Sequence, residues 1–154
     1  MIRHAVDVPV ASRSDLVVDL VINVLDGPVS GHEWLDVMSC QVNSDEFLRA
    51  SRALTDLTSA TDLEQFTDHD LDQGVAFLAA HPRPVPTRRK AAMVAHGGFD
   101  VAKVFEHKIG ASRWGAIPIV FNDVTTACAW LGVDVQRVRS AIASMRAELR
   151  TPLL

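Results

Sequence analysis

Two hydrophobic periods alternate along the chain. From Leu16 to Val24 the positions are nearly all aliphatic, rich in valine and interrupted by Asp19, which is the composition of a strand covered on both faces and placed centrally in a sheet. A weaker extended segment over roughly Arg3 to Val8 precedes it and suits an antiparallel edge, with Pro9 acting against its continuation. Trp34, Leu35, Met38 and Val42 then recur at helical intervals behind Ser30 and Glu33, which have the spacing of a capping box. Ser44 and Glu46 to Ala50 suit a second short helical turn. "RALTDLT" reads as a short strand that leads into the loop "SATDLEQ", with "TDLTSATD" turning a corner. Leu71, Val75 and Leu78 share one side of a helix capped by Thr67 and acidic at its positive end.

The second half repeats the alternation. "PRPVPTRR" breaks the preceding helix, since three prolines within five positions remove donors and fix backbone angles. "KAAMVAHGG" reads as a strand, "FDVAKVFEHKIG" as a helix ended by Gly110, and "AIPIVFND" as the last strand. A helix capped by Asp123 and stopped by Gly132 follows, then one carrying Val135, Val138, Ile142, Met145 and Leu149 on a single stripe. That last stripe is open to two uses, packing on the domain's own flank or pairing with a second subunit. Helices between successive short apolar strands imply right-handed crossovers and a mostly parallel sheet. The expectation is therefore an α/β single domain over residues 1–154, with 135–149 as a C-terminal helical extension.

The 154 residues suit one core, and 48 % hydrophobic content fits a compact globule. Fifteen Lys and Arg against 19 Asp and Glu disfavour nucleic acid, although Arg83 to Lys90 forms a basic patch. Cys40 and Cys128 have neither disulfide nor zinc spacing and read as reduced core residues. The N-terminal ten residues lack the apolar core of a signal peptide, and no stretch reaches membrane-spanning length, so a cytoplasmic protein without membrane insertion is expected.

Candidate chemistry follows from topology. Parallel strands joined by helices bring their carboxyl ends to one edge, where open sheets often hold ligands. On this chain that edge gathers Asn23, Asp26, Asp56, Thr58, His96, Gly97, Gly98, Asn122 and Asp123. One reading makes Asp56 and His96 an acid–base pair or a binding pocket with Thr58, Gly97, Gly98 and Asn122 around them. The other has Asp56 and Thr58 bonding their own loop, Asp123 capping a helix and His96 topping a strand. No GxGxxG, GxxxxGK, GxSxG or HExxH occurs, so no catalytic residue, metal ligand or cofactor is assigned. The glycine pair in "HGGFD" is explained by a tight turn without a ligand. Trp34, Trp114 and Trp130 read as core or core-edge residues, Trp114 as the most exposed.

With these elements placed, the chain resembles the small bacterial STAS-like proteins related to anti-sigma-factor antagonists. The resemblance runs from about Ser14 to Asp134, through "VINVLDGPVSGHEWL", "RALTDLTSAT", "RKAAMVAHGGFDVAKVFE" and "IPIVFNDVTTACAWLGVD". It implies a non-catalytic regulatory or docking module that works through a protein partner or a second copy of itself. In that family a serine at the start of the helix after "DL" is phosphorylated to control docking; here the matching stretch is Leu63 to Phe66, without a serine. The alternative is a small-molecule or lipid-binding protein, or a weak enzyme, using the strand-end rim near Asp56, His96 and Asn122.

Overall fold

The computed structural model describes residues 2–3, 10–80, 89–112 and 115–151. Six strands form one mixed sheet: β1 (Ile2–Arg3), β2 (Val10–Asp15), β3 (Leu20–Pro28), β4 (Arg52–Thr61), β5 (Arg89–Val94) and β6 (Ala116–Phe121). Helices α1 (Gly31–Val42) and α2 (Asp45–Arg49) join β3 to β4, and α3 (Asp68–Ala80) joins β4 to β5. Helix α4 (Phe99–Gly110) joins β5 to β6, after which α5 (Val124–Leu131) and α6 (Val135–Arg150) close the chain. Strand order is that of the sequence, β1 to β6, with the first two pairings antiparallel and the last three parallel. Apart from the strand count, the expected α/β order is observed.

Sequential order fixes the layers. Three right-handed crossovers that all step the same way must place α1, α3 and α4 on one face of the sheet. Leu25, Leu57 and Met93 point to that face and share a core with Val37, Met38, Leu71, Leu78 and Phe105. The opposite face, carrying Leu20, Ile22, Val24, Leu54, Ala92 and Val94, is covered by α5 and α6. Val138, Ile142 and Met145 are buried there, so the stripe of α6 packs on its own sheet and gives no reason for two copies to pair through it.

Local chemistry explains the element ends. Ser30 and Glu33 make the expected capping box on α1, and Thr67 with Asp70 makes the same reciprocal pair on α3. Asp123 caps α5 through the Thr126 amide, at 2.7 Å. At the other end of α5 the carbonyls of Trp130 and Leu131 accept from Lys90 and Arg52, each at 3.0 Å, which supplies the cations that a helix C-terminus lacks.

Three expectations about strands are corrected. Leu16 to Asp19 is the turn of a β2–β3 hairpin, not strand; Leu16 and Val17 are exposed, and Asp19 takes the left-handed conformation at φ 52° while its carboxylate accepts from the Ser51 amide at 3.2 Å. β2 leaves no apolar signature in the sequence because its outer half is polar: Ser12 donates to Asn23 at 2.8 Å and Asp15 binds Arg137, so partners and not hydrophobicity hold that half. β4 continues to Thr61 instead of turning at Thr58. Its pairing with β3 shifts from Val24↔Asp56 to Asp26↔Ser59, an extra residue on β4 that makes a bulge, and the strand then runs on to Pro28↔Thr61. Most of the Arg3 to Val8 segment, the proline-rich 81–88 and Trp114 lie outside the described residues. Cys128 is buried as expected, but Cys40 is exposed.

Among the described residues β6 is an edge strand without a neighbour on its outer side, the usual template for unwanted pairing. Pro118 has no amide hydrogen to offer, and two residues on, the Val120 amide donates to the Glu106 carboxylate of α4 at 2.6 Å. Two successive donors of the same phase are therefore removed from the edge. Glu106→Ala is expected to lower stability by about 1.5 kcal/mol, the range of a charge-assisted hydrogen bond, and to introduce concentration-dependent association. Urea titration and light scattering check both effects, with Glu106→Gln, which retains an acceptor, closer to the parent.

Candidate functional site

The parallel strands do bring their carboxyl ends to one edge, but they divide the candidate residues. Asp56 sits opposite Val94 in the β4–β5 register, on the α6 side of the sheet, and is 1 % exposed. One carboxylate oxygen accepts from Arg146 at 2.5 Å, and the other accepts from the Thr58 amide at 3.1 Å. Arg146 also donates to the Thr58 hydroxyl at 3.3 Å. Asp56 thus holds the amide freed by the β4 bulge and anchors α6 to the strand, a structural task that engages both oxygens.

His96 lies beyond the end of β5, exposed, with its Nε2 2.9 Å from the Asn122 carbonyl. Among the described residues the hydrogen-bond partners of Asp56 are Thr58 and Arg146, and that of His96 is Asn122, so the acid–base pair is not assembled. Asn122 and Gly97 are exposed at the same corner. Gly98 precedes α4 at φ 72°, and a Cβ there would stand 2.5 Å from the Cβ of Leu63. Gly98 therefore serves the close packing of α4 against the 3₁₀ turn Leu63–Gln65. Asn23 is not at the rim at all. It lies mid-strand, 2 % exposed, bridging Ser12 and Thr55 across three strands.

The sequence reading missed the arginines of α6. Arg137 grips Asp15 at 2.6 and 2.9 Å, Arg150 grips Asp26 at 2.8 and 2.9 Å, and Arg146 takes Asp56 between them. The partners are 90 to 124 positions apart, so no local pattern announces them. The hydrogen bonds from Arg137 and Arg150 hold the carboxyls of Asp15 and Asp26 below their ordinary value, against the opposing effect of burial. A depressed folded-state pKa contributes stability that is present above the unfolded value of 3.8 and lost as pH falls through the folded value. The urea midpoint is therefore expected to hold from neutral pH to about 5 and to fall below about 4. Arg137→Met with Arg150→Met should flatten that acid limb; an unchanged limb would assign the acid sensitivity elsewhere.

The edge as a whole has a sign. Helix N-termini collect at the carboxyl ends of the parallel strands, and carboxylates are favoured in first turns. Asp62, Glu64, Asp68 and Asp100 are all exposed there, with Glu64 lying against Gly97. At the opposite strand ends stand Arg52, Arg89 and Lys90, turned to internal acceptors. Among the described residues no group of three or more His, Cys, Asp or Glu is placed to hold a metal ion, and no helix is long and apolar enough to cross a membrane. No protein-family model matches the chain, and no curated protein or solved structure matches it either.

Proposed function

We propose that the chain is a non-catalytic STAS-like docking domain whose acidic strand-end edge receives a basic surface of a protein partner. The observation that carries this reading is the division of labour at that edge. The buried acid Asp56 is engaged by Arg146, while Asp62, Glu64, Asp68 and Asp100 stand exposed around the 3₁₀ turn and the starts of α3 and α4. The α/β architecture with its sequential, mixed sheet is consistent with the STAS-like resemblance and lends it support.

The 3₁₀ turn falls where antagonists of that family carry the phosphorylated serine. Here Asp62 and Glu64 flank buried Leu63. Their negative charge needs no kinase, so docking is constitutive and depends on salt instead of phosphorylation. Complementary charge governs encounter and choice of partner more than final affinity.

The test is capture of a partner from native lysate on immobilised full-length protein, followed by stepwise salt elution. The expected result is a basic protein released at moderate salt and lost from a Glu64→Lys, Asp100→Lys double variant that folds normally. Capture unchanged by the charge reversal, or no capture by the parent, overturns the proposal.

A further inference from the structure

The starts of three helices converge over the carboxyl ends of β4 and β5. Trp34 of α1, Leu71 of α3 and Val101 of α4 each stand near the start of their helix, and together they line an apolar pit of about 30 Å³. Leu57, Met93 and Phe105 are buried and form its floor, whereas Trp34, Phe66 and Val101 are partly exposed and mark its mouth. Phe66 and Phe105 meet the Trp34 ring in T-shaped contacts, with centroids 6.5 and 5.4 Å away, so the wall is an interlocked aromatic frame. No charged side chain lines the pit, and an apolar space of this kind gives water too few partners to hold it.

The mouth sits inside the acidic edge. Leu63, another wall residue, is flanked by Asp62 and Glu64; Phe66 lies two places before Asp68, and Val101 follows Asp100. All four of these carboxylates are exposed. Asp68 lies 3.9 Å from Lys108, and among the described residues no lysine or arginine pairs with Asp62, Glu64 or Asp100. An apolar pit ringed by unpaired negative charge complements an apolar side chain held between positive ones. Interfaces concentrate binding energy in such central sockets, while charges around them govern encounter and choice of partner. The volume selects the anchor, since at about 10 to 15 Å³ for each water-sized sphere the pit takes roughly two or three atoms. That is the branched end of a leucine, which reaches one carbon further from the backbone than that of valine. An alanine methyl leaves the pit part empty, and a phenyl ring exceeds it.

We propose that this pit is the anchor socket of the docking edge, and that it takes the leucine of a partner's peptide segment in which lysines or arginines flank that leucine. The inference rests on the docking reading and adds to it what charge alone does not supply, selection of one side chain.

Fluorescence anisotropy of labelled pentapeptides on the full chain tests it, with two basic residues on each side of a central leucine, alanine or phenylalanine, and a leucine peptide with acidic flanks as the fourth. The basic leucine peptide is expected to bind roughly tenfold or more tighter than the alanine peptide, and tighter than the phenylalanine one. Its binding should be lost in the Glu64→Lys, Asp100→Lys double variant and with acidic flanks. Methyl NMR of the parent gives a second measurement: at millimolar peptide the Leu63, Met93 and Val101 signals are expected to shift with leucine and to stay in place with alanine. Equal affinity for leucine and alanine, still lost on charge reversal, overturns the socket and leaves the docking edge standing. A preference for leucine that survives charge reversal overturns the docking edge and, with it, the proposal. Binding of none of the peptides, with unmoved methyl signals, overturns the proposal as well.

Discussion

Asp56→Ala is expected to destabilise the protein by about 3 kcal/mol, because it strands the Arg146 guanidinium in a largely buried position. Among the described residues the Nε of Arg146 is already without a partner, and Thr58 would be the sole group left to receive the guanidinium. The same substitution releases the Thr58 amide at the β4 bulge, so strand and helix lose their common anchor together. Urea unfolding is the measurement. Asp56→Asn keeps an acceptor for one of the two neighbours and should cost less, while Arg146→Met introduced beside Asp56→Ala should return part of the loss, since removing both charges is cheaper than leaving one. Full additivity of the two substitutions would show that the pair does not act as a unit.

Gly98→Ala is expected to cost a similar amount, about 3 kcal/mol, from two separate sources. The left-handed backbone at φ 72° disfavours any L side chain by about 1 kcal/mol or more. The new methyl would also stand 2.5 Å from Leu63 Cβ, an atom fixed to its backbone, and such overpacking adds about 1 to 3 kcal/mol. Gly97→Ala is the matched control: its methyl would meet a Glu64 carboxylate oxygen at 3.4 Å, and the Glu64 side chain can swing aside. A change within about 0.5 kcal/mol is expected there. Equal costs at the two positions would contradict the packing explanation.

The elements that composition revealed are those held by hydrophobic burial or by local caps. α1, α3, α4, α5 and α6 fall where periodicity and the Ser30, Thr67, Asp123 and Gly132 signals place them, and β3 does so from Leu20 onward. What composition concealed is held by partners distant in the chain. β2 is recognisable only through Asn23 and Arg137, and the role of Asp56 only through Arg146, which lies 90 positions away. A bulge has no composition of its own, so the extension of β4 to Thr61 has the look of a corner in the sequence.

Arg89 illustrates the other kind of concealment. In sequence it belongs to a basic run, "RRK", that suggests a solvated patch. In the strand it has the phase of Ala91 and Met93, which point to the α1 face, whereas Lys90 has the phase of Ala92 and Val94 and turns to α5. Period-two alternation counted backward from the apolar half of β5 would have set the two basic residues on opposite faces of the sheet. The pattern was present but was outweighed by the local charge density.

The one-directional order of the crossovers also bears on how the protein is made. As the chain emerges from a ribosome, β1 to β6 and the helices that cover their first face are all synthesised before α5 and α6. Until those two helices arrive, Ile22, Val24, Leu54 and Val94 have nothing among the described residues to cover them on that face. The nascent protein therefore carries an apolar sheet face until α5 and α6 have been made, and a holdase would find that face bare in the interval before they dock.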